Sequence, residues 1–128
     1  MKLTILCIED NPDNRMLLNR VCRLFFPESY CLMEAKNGME GLAIAESQAV
    51  DLILLDINLP DIDGYEVARR LRSGTKPEFA RIPIIAITAD AMTSDVKKCL
   101  EAGCDAYISK PIDIQELWKT VETLVASA

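Results

Sequence analysis

The apolar residues of this chain follow two spacings, short continuous runs and stretches in which they recur every three or four positions. The runs predict β-strands at Leu3–Ile8, Tyr30–Met33, Leu52–Leu55, Pro83–Ile87 and Ala106–Ile108. The helical spacings predict helices at Pro12–Phe26, Met39–Ser47, Gly64–Ser73, Ala91–Ala102 and Ile112 or Asp113 to Ala126. Five strands therefore alternate with five helices.

The predicted strands are apolar throughout, which is typical of strands covered by helices on both faces. This pattern predicts an α/β fold with a doubly wound parallel sheet. Asn11 can cap the helix that begins at Pro12, Asn37-Gly38 predicts a turn, and Ser73–Ile82 predicts a loop. The apolar residues at helical spacing in the first helix are Met16, Leu17, Val21, Leu24 and Phe25.

Reactive side chains follow four of the five predicted strands, as Glu9-Asp10, Asp56, Thr88 and Lys110. The carboxyl ends of parallel strands open on one edge of the sheet, so these groups are expected to converge in a shallow cleft. Crowded carboxylates repel each other, and oxygen ligands favour a hard divalent cation such as Mg²⁺. With the added hydroxyl and ammonium, the cleft suits a phosphoryl group.

The chain has no histidine, which excludes Ser-His-Asp and Cys-His catalysis. A carboxylate is therefore the expected acceptor of the phosphoryl group, as in aspartyl-phosphate chemistry. The cysteine count is odd, no two cysteines have CxxC spacing, and we expect all five to be structural or incidental. Arg69, Arg70 and Arg72 are expected to form a solvated face.

Five segments carry a resemblance to a known family, and they surround Glu9-Asp10-Asn11, Asp56, Asp63-Gly64, Thr88-Ala89-Asp90-Ala91-Met92 and Tyr107 to Pro111. Over essentially the whole chain, the sequence resembles the receiver domain of response regulators, and within that family the short stand-alone members of the DivK type. The resemblance implies a flavodoxin-like (βα)5 three-layer sandwich with strand order 2-1-3-4-5, formed by a single domain over residues 1–128.

The resemblance also implies roles for individual residues around a magnesium ion. Asp56 is the implied phosphoacceptor and, with Asp10, a direct ligand of Mg²⁺. Glu9 is implied to act through a bound water, and the main-chain carbonyl of Asn58 to add a ligand. Many family members have Asp-Asp where this chain has Glu9-Asp10, but Glu is still an oxygen donor, so metal binding is expected to survive.

Further residues are implied to contact or sense the phosphoryl group. Thr88 and Lys110 are the implied contacts of its oxygens, and Tyr107 is the aromatic residue implied to turn inward when Thr88 moves. The Lys110–Pro111 peptide is implied to be cis. Asn58 and Asp90 occupy positions that modulate dephosphorylation in this family.

The function implied by the resemblance is a phosphorylation-operated switch in two-component signalling. A histidine kinase or a histidine phosphotransfer protein would be the donor, and the protein would catalyse only its own phosphorylation and dephosphorylation. The target would bind the surface formed by the fourth helix, fifth strand and fifth helix. The alternatives are a receiver-type docking module that works without phosphorylation, a receiver excised from a larger hybrid kinase or multidomain regulator, a small Asp-nucleophile phosphatase, and a flavin-binding protein.

Composition narrows the partners and the compartment. The chain has 128 residues, a net charge of −6 and a pI near 4.6, so we expect no direct contact with nucleic acid. No apolar run is long enough to cross a bilayer, and the N-terminus does not resemble a signal peptide. We therefore expect a cytoplasmic protein without membrane contact, monomeric or weakly dimeric.

Overall fold

A computed structural model describes residues 3–25, 30–74, 76–89 and 93–126. Its strands are β1 (Leu3–Ile8), β2 (Tyr30–Ala35), β3 (Leu52–Asp56), β4 (Ile84–Thr88) and β5 (Ala106–Ser109). Its α-helices are α1 (Pro12–Phe25), α2 (Gly38–Ser47), α3 (Gly64–Arg72), α4 (Thr93–Ala102) and α5 (Ile114–Ala126). The predicted positions Phe26 and Ala91 lie outside the described residues.

The five strands form one parallel sheet in the order β2-β1-β3-β4-β5. β1 lies between β2 and β3 and pairs with both, so the chain reverses its direction of winding after β2. The predicted fold class and the strand order implied by the resemblance are therefore confirmed.

The buried side chains form two clusters, one on each face of the sheet. Along β1, Leu6 and Ile8 belong to the cluster covered by α2, α3 and α4, whereas Ile5 and Cys7 belong to the cluster covered by α1 and α5. This division follows from the period-two alternation of side chains along a strand. The result is a three-layer sandwich in which apolar residues on both faces of the inner strands β1, β3 and β4 are buried.

Two predictions about the connections between elements are wrong. Asn37 is not a turn residue but the N-cap of α2, because its side chain accepts a hydrogen bond from Glu40 N at 2.8 Å. The segment predicted as the loop Ser73–Ile82 contains a 3₁₀ helix, Pro77–Ala80. Phe79 of this short helix is buried, and anchoring its ring gives the connection regular structure.

The buried face of α1 differs from the predicted apolar stripe. Leu18, Val21 and Cys22 are buried, whereas Met16 and Leu24 are more than 60% exposed. The helix carries apolar residues around more than one face, so their spacing alone does not fix which face contacts the sheet. By contrast, Asn11 caps α1 as predicted, accepting from Asp13 N at 2.8 Å.

Arg72 departs from the solvated face predicted for the arginine run of α3. Its guanidinium donates to the carbonyl oxygens of Gly103 (2.9 Å) and Phe79 (2.7 Å) and to the Asp105 carboxylate (2.8 Å). Gly103 has a φ of +108°, and a Cβ at this position would lie 2.5 Å from the Arg72 side chain. Arg72 therefore joins α3 to the turn between α4 and β5.

No disulfide joins any of the five cysteines within the described part of the chain. Four of them are buried and Cys31, on the edge strand β2, is partly exposed. Burial raises the pKa of Cys22 to about 11 and that of Cys104 to about 12. Among the described residues, no helix is both long and apolar enough to cross a membrane.

Candidate metal and phosphoryl site

The carboxyl edge of the sheet brings the predicted site residues together. Asp56 is the last residue of β3 and Thr88 is the last residue of β4, and both are buried. Glu9 follows β1, where its N–H donates to Ala35 O at 3.0 Å, and Lys110 follows β5, where its N–H donates to Thr88 O at 2.8 Å. Backbone pairing thus fixes where each of these side chains leaves the sheet.

Three carboxylates form a compact cluster at this edge. Glu9, Asp10 and Asp56 each contribute an oxygen, and these oxygens lie within 4.8 Å of one another. The side chains of Glu9 and Asp56 are about 1% exposed, whereas Asp10 is exposed to solvent. The cluster is therefore closed on the sheet side and open at Asp10.

Lys110 is the cationic partner of the two buried acids. Its Nζ lies 3.3 Å from Asp56 Oδ1 and 3.5 Å from Glu9 Oε1. Main-chain N–H groups contribute as well, since Asn58 N donates to Asp56 Oδ1 at 3.0 Å and Asn11 N donates to Glu9 Oε2 at 3.2 Å.

One oxygen on each buried acid nevertheless lacks a hydrogen bond, namely Glu9 Oε1 and Asp56 Oδ2. Burial, and then the neighbouring Asp56 carboxyl, raises the pKa of Glu9 to about 7 from an ordinary 4.5. Buried, unsatisfied carboxylate oxygens are costly, and a hard cation satisfies them directly. The donor set is all oxygen, so these residues fit Mg²⁺.

The approach of α3 also shapes the site. Gly64 begins this helix, and its N–H donates to Ile57 O at 2.9 Å. A Cβ on Gly64 would lie 2.6 Å from Asp56 O and 2.7 Å from Ile57 Cα. Only glycine lets α3 pack this closely behind Asp56.

The remaining predicted residues are placed as follows. Tyr107 is on the edge strand β5 and is 38% exposed. The Lys110–Pro111 peptide is cis, as the resemblance implies. Asn58 is exposed beside Asp56, and Asp90 lies outside the described residues.

Two residues of this region were not predicted from the sequence. Arg15 Nη1 donates to the carbonyl oxygens of Glu9 (2.8 Å) and Asp10 (3.0 Å). Asp61, in the loop after β3, accepts from Gly38 N and Met39 N at 2.8 Å each and so holds the start of α2. The sequence held a weak indication of each contact. Arg15 stands near the start of a helix, where side chains lean back toward the N-terminus, and Asp61 is an aspartate in a loop.

Comparison with known proteins matches residues 5–122 to the response regulator receiver domain. Polar-differentiation response regulator DivK of Brucella anthropi is 36% identical over 128 residues, covering all of both chains. The same-named protein of Brucella ovis is 35% identical over the same length.

Solved structures agree with this match. The receiver domain of a sensor histidine kinase from Pseudomonas aeruginosa, which has a magnesium ion coordinated in its active-site cleft, superimposes with a TM-score of 0.86. It is 33% identical, and the match covers 98% of this chain and 99% of that one. A chemotaxis response regulator of Vibrio cholerae shares the fold, with a TM-score of 0.86, 22% identity and coverage of 97% and 99%. The chain belongs to the response regulator receiver domain family.

Proposed function

We propose that this protein is the phosphoacceptor of a two-component or phosphorelay system and that Asp56 accepts the phosphoryl group. The observation that supports the proposal most directly is the buried Asp56 carboxylate, which ends a central strand and lies 3.3 Å from Lys110 Nζ. No histidine is available to act as the nucleophile. Asp56 belongs to the acidic cluster, and its carboxylate lies slightly closer to Lys110 Nζ (3.3 Å) than that of Glu9 does (3.5 Å).

In the proposed reaction, an oxygen of Asp56 forms a bond to phosphorus as the phosphorus–nitrogen bond of a donor phosphohistidine breaks. The donor imidazole leaves with the bonding electrons and takes up a proton. Lys110 and the Thr88 hydroxyl would contact the phosphoryl oxygens and offset their charge. On this proposal the protein acts as a catalyst only on its own phosphorylation and dephosphorylation.

The residues proposed to hold Mg²⁺ are Asp10, Asp56 and the main-chain carbonyl of Asn58, with Glu9 acting through a water. When bound, the ion would neutralise the charge that collects between the carboxylates and the phosphoryl oxygens. Two buried oxygens without a hydrogen bond support a cation at this position: Asp56 Oδ2, and Glu9 Oε1, which has Lys110 Nζ 3.5 Å away. Asn58 and Asp90 are proposed to set how quickly the phosphoryl group is lost.

Phosphorylation adds negative charge beside Thr88, which is proposed to move toward it and to let Tyr107 turn inward. Tyr107 is 38% exposed on β5, so a change in its position would alter the surface that a partner can contact. The proposed output is therefore a changed α4-β5-α5 surface that binds a downstream protein. The proposed donor is a histidine kinase or a histidine phosphotransfer protein, and the proposed setting is the cytoplasm, with the protein a monomer or weak dimer.

The proposal is tested by intact-mass spectrometry after incubation with acetyl phosphate, with and without Mg²⁺. We expect one added phosphoryl group, which requires Mg²⁺ and disappears in Asp56→Asn. Asp63→Asn is the matched control, since Asp63 caps α3 in the same loop and is expected to keep the uptake. Uptake by Asp56→Asn at the wild-type level would contradict the assignment.

The same experiment distinguishes the proposed phosphoacceptor from the main alternative, a docking module that works without phosphorylation. A receiver that docks without phosphorylation would show no uptake and no binding of beryllium fluoride, an analogue of the phosphoryl group. In that case the exposed α4-β5-α5 surface would still be available to a partner, but Asp56 would have no role in controlling it.

A further inference from the structure

Arg15 reaches from α1 into the loop that carries two of the three clustered acids. It lies in the first turn of the helix, and its Nη1 donates to Glu9 O at 2.8 Å and to Asp10 O at 3.0 Å. Side chains in a helix lean toward its N-terminus, so an arginine in the first turn is well placed for this contact.

The contact matters because Glu9 and Asp10 are consecutive. Successive side chains in a β-strand point to opposite faces, and an extended chain would send only one of these carboxylates into the cluster. Both nevertheless place an oxygen within 4.8 Å of the others. The backbone must therefore turn at these two residues. Arg15 Nη1 holds that turn, because it donates hydrogen bonds to both of their carbonyl oxygens.

Arg15 and Lys110 are both cations near the cluster, but their contacts differ. Lys110 Nζ lies beside the carboxylate oxygens themselves, 3.3 Å from Asp56 and 3.5 Å from Glu9. Arg15 instead donates its hydrogen bonds to the main-chain oxygens of Glu9 and Asp10. Arg15 can therefore keep its contacts while the carboxylates bind a cation.

We propose that Arg15 is a positioning residue for divalent-cation binding, which it serves by holding the Glu9–Asp10 turn in the conformation that points both carboxylates at Asp56. This inference rests on the proposed magnesium site. Arg15 is not proposed as a ligand, because its guanidinium donates to the main-chain oxygens of Glu9 and Asp10. Groups that orient metal ligands typically change affinity by about 10–100-fold when they are removed.

The sign of the effect separates positioning from simple electrostatics. Arg15→Gln removes a positive charge near the cluster, and that change alone would make Mg²⁺ bind more tightly. Loss of the turn would make Mg²⁺ bind more weakly. A residue that serves only the fold would alter the thermal midpoint in EDTA and leave Mg²⁺ affinity unchanged.

The test is calorimetric titration of the unphosphorylated full chain with Mg²⁺. Arg15→Gln is compared with wild type and with Arg20→Gln, which removes the same charge from an exposed position of the same helix. We expect Kd to rise about tenfold in Arg15→Gln and to stay at the wild-type value in Arg20→Gln. Arg15→Lys keeps the charge but has a shorter side chain with a single donor nitrogen. Its Kd for Mg²⁺ should therefore lie between those of wild type and Arg15→Gln.

Circular dichroism in EDTA establishes that each variant is folded, and Arg15→Lys carries the test if Arg15→Gln does not fold. A wild-type or tighter Kd in the folded Arg15 variants would overturn the inference. If wild type binds Mg²⁺ but takes up no phosphoryl group from acetyl phosphate, the proposed function fails while the Kd comparison still decides the role of Arg15. If wild type binds no Mg²⁺, both fail.

Discussion

At the scale of single residues, the site combines groups that are costly to bury in the absence of a cation. Glu9 and Asp56 are almost completely buried, and each has an oxygen without a hydrogen bond. Their convergence was predictable because both follow central parallel strands, whose carboxyl ends share one edge. The contact of Arg15 was not predictable, since it depends on one side-chain conformation and not on the pattern of the chain.

Glu9 is expected to make the metal-free protein less stable as pH rises. Its pKa is about 7 in the folded protein and 4.5 ordinarily, so the folded state binds the proton more strongly. The stability that the folded state gains from holding this proton is fully present below about pH 4.5 and is lost as pH rises through about 7. Glu9→Gln, which resembles the protonated form, should remove this dependence.

Urea unfolding in EDTA, from about pH 5 to about pH 8, measures the effect. The stability of Glu9→Gln relative to wild type should increase across this interval, by at most about 3 kcal/mol. Glu122→Gln, at an exposed position of α5, is the control and should show no such trend. A pH-independent difference for Glu9→Gln would contradict the raised pKa.

At the scale of elements, the boundaries follow from the sequence more closely than the contacts do. Apolar runs located all five strands, and Asn11 marked the start of α1. The face that α1 buries was not determined, because its apolar residues lie on more than one side. The role of Arg72 was also hidden, because its partners Gly103 and Asp105 lie more than thirty positions further along the chain.

The arginines of α3 should therefore differ in their effect on stability. The side chain of Arg72 is 19% exposed and joins three segments, whereas Arg70 is 46% exposed and pairs with Glu66 on its own helix. Arg72→Gln should lower the free energy of unfolding by about 2 kcal/mol, because it leaves the partly buried carbonyl oxygens of Phe79 and Gly103 without their charged donor. Urea unfolding at neutral pH measures this loss.

Arg70→Gln is the matched control on the same helix, and it should leave the unfolding midpoint close to that of wild type, since exposed ion pairs contribute little. Equal effects of the two substitutions would mean that the junction formed by Arg72 does not contribute to stability.

At the scale of the whole molecule, the sheet separates two apolar layers and collects its charged groups at one end. Three acids and one lysine leave an excess of negative charge there, in a chain whose net charge is already −6. The topology made this end predictable as the site, because every reactive residue that follows a strand in a parallel sheet emerges on the same side. The identity of the partner protein does not follow from topology, since it depends on surface side chains.

On the proposed site, Mg²⁺ should stabilise the folded chain as a whole. The thermal midpoint should rise with the logarithm of Mg²⁺ concentration and return to its starting value in EDTA, with a gain of about 2.7 kcal/mol at one hundred times Kd. The gain should be larger near pH 8 than near pH 6, because Glu9 releases its proton when the cation binds. Differential scanning calorimetry measures both effects.

Asp10→Asn removes a proposed ligand and should abolish most of the Mg²⁺-dependent gain. Asp13→Asn, at an exposed position three residues further along the chain, should retain it. An equal gain in both variants would place the cation elsewhere on the molecule.

The reactivity of the five cysteines can be used to measure local opening of the native protein without introducing a label. Four of them are shielded from solvent, Cys22 in α1, Cys99 in α4, Cys104 just after α4 and Cys7 in β1. Cys31, on the edge strand β2, is partly exposed. A thiol-specific reagent should modify Cys31 first and the others only as their surroundings open, with all five accessible in denaturant. The order in which mass increments appear would then rank the layers of the sandwich by how often each one opens.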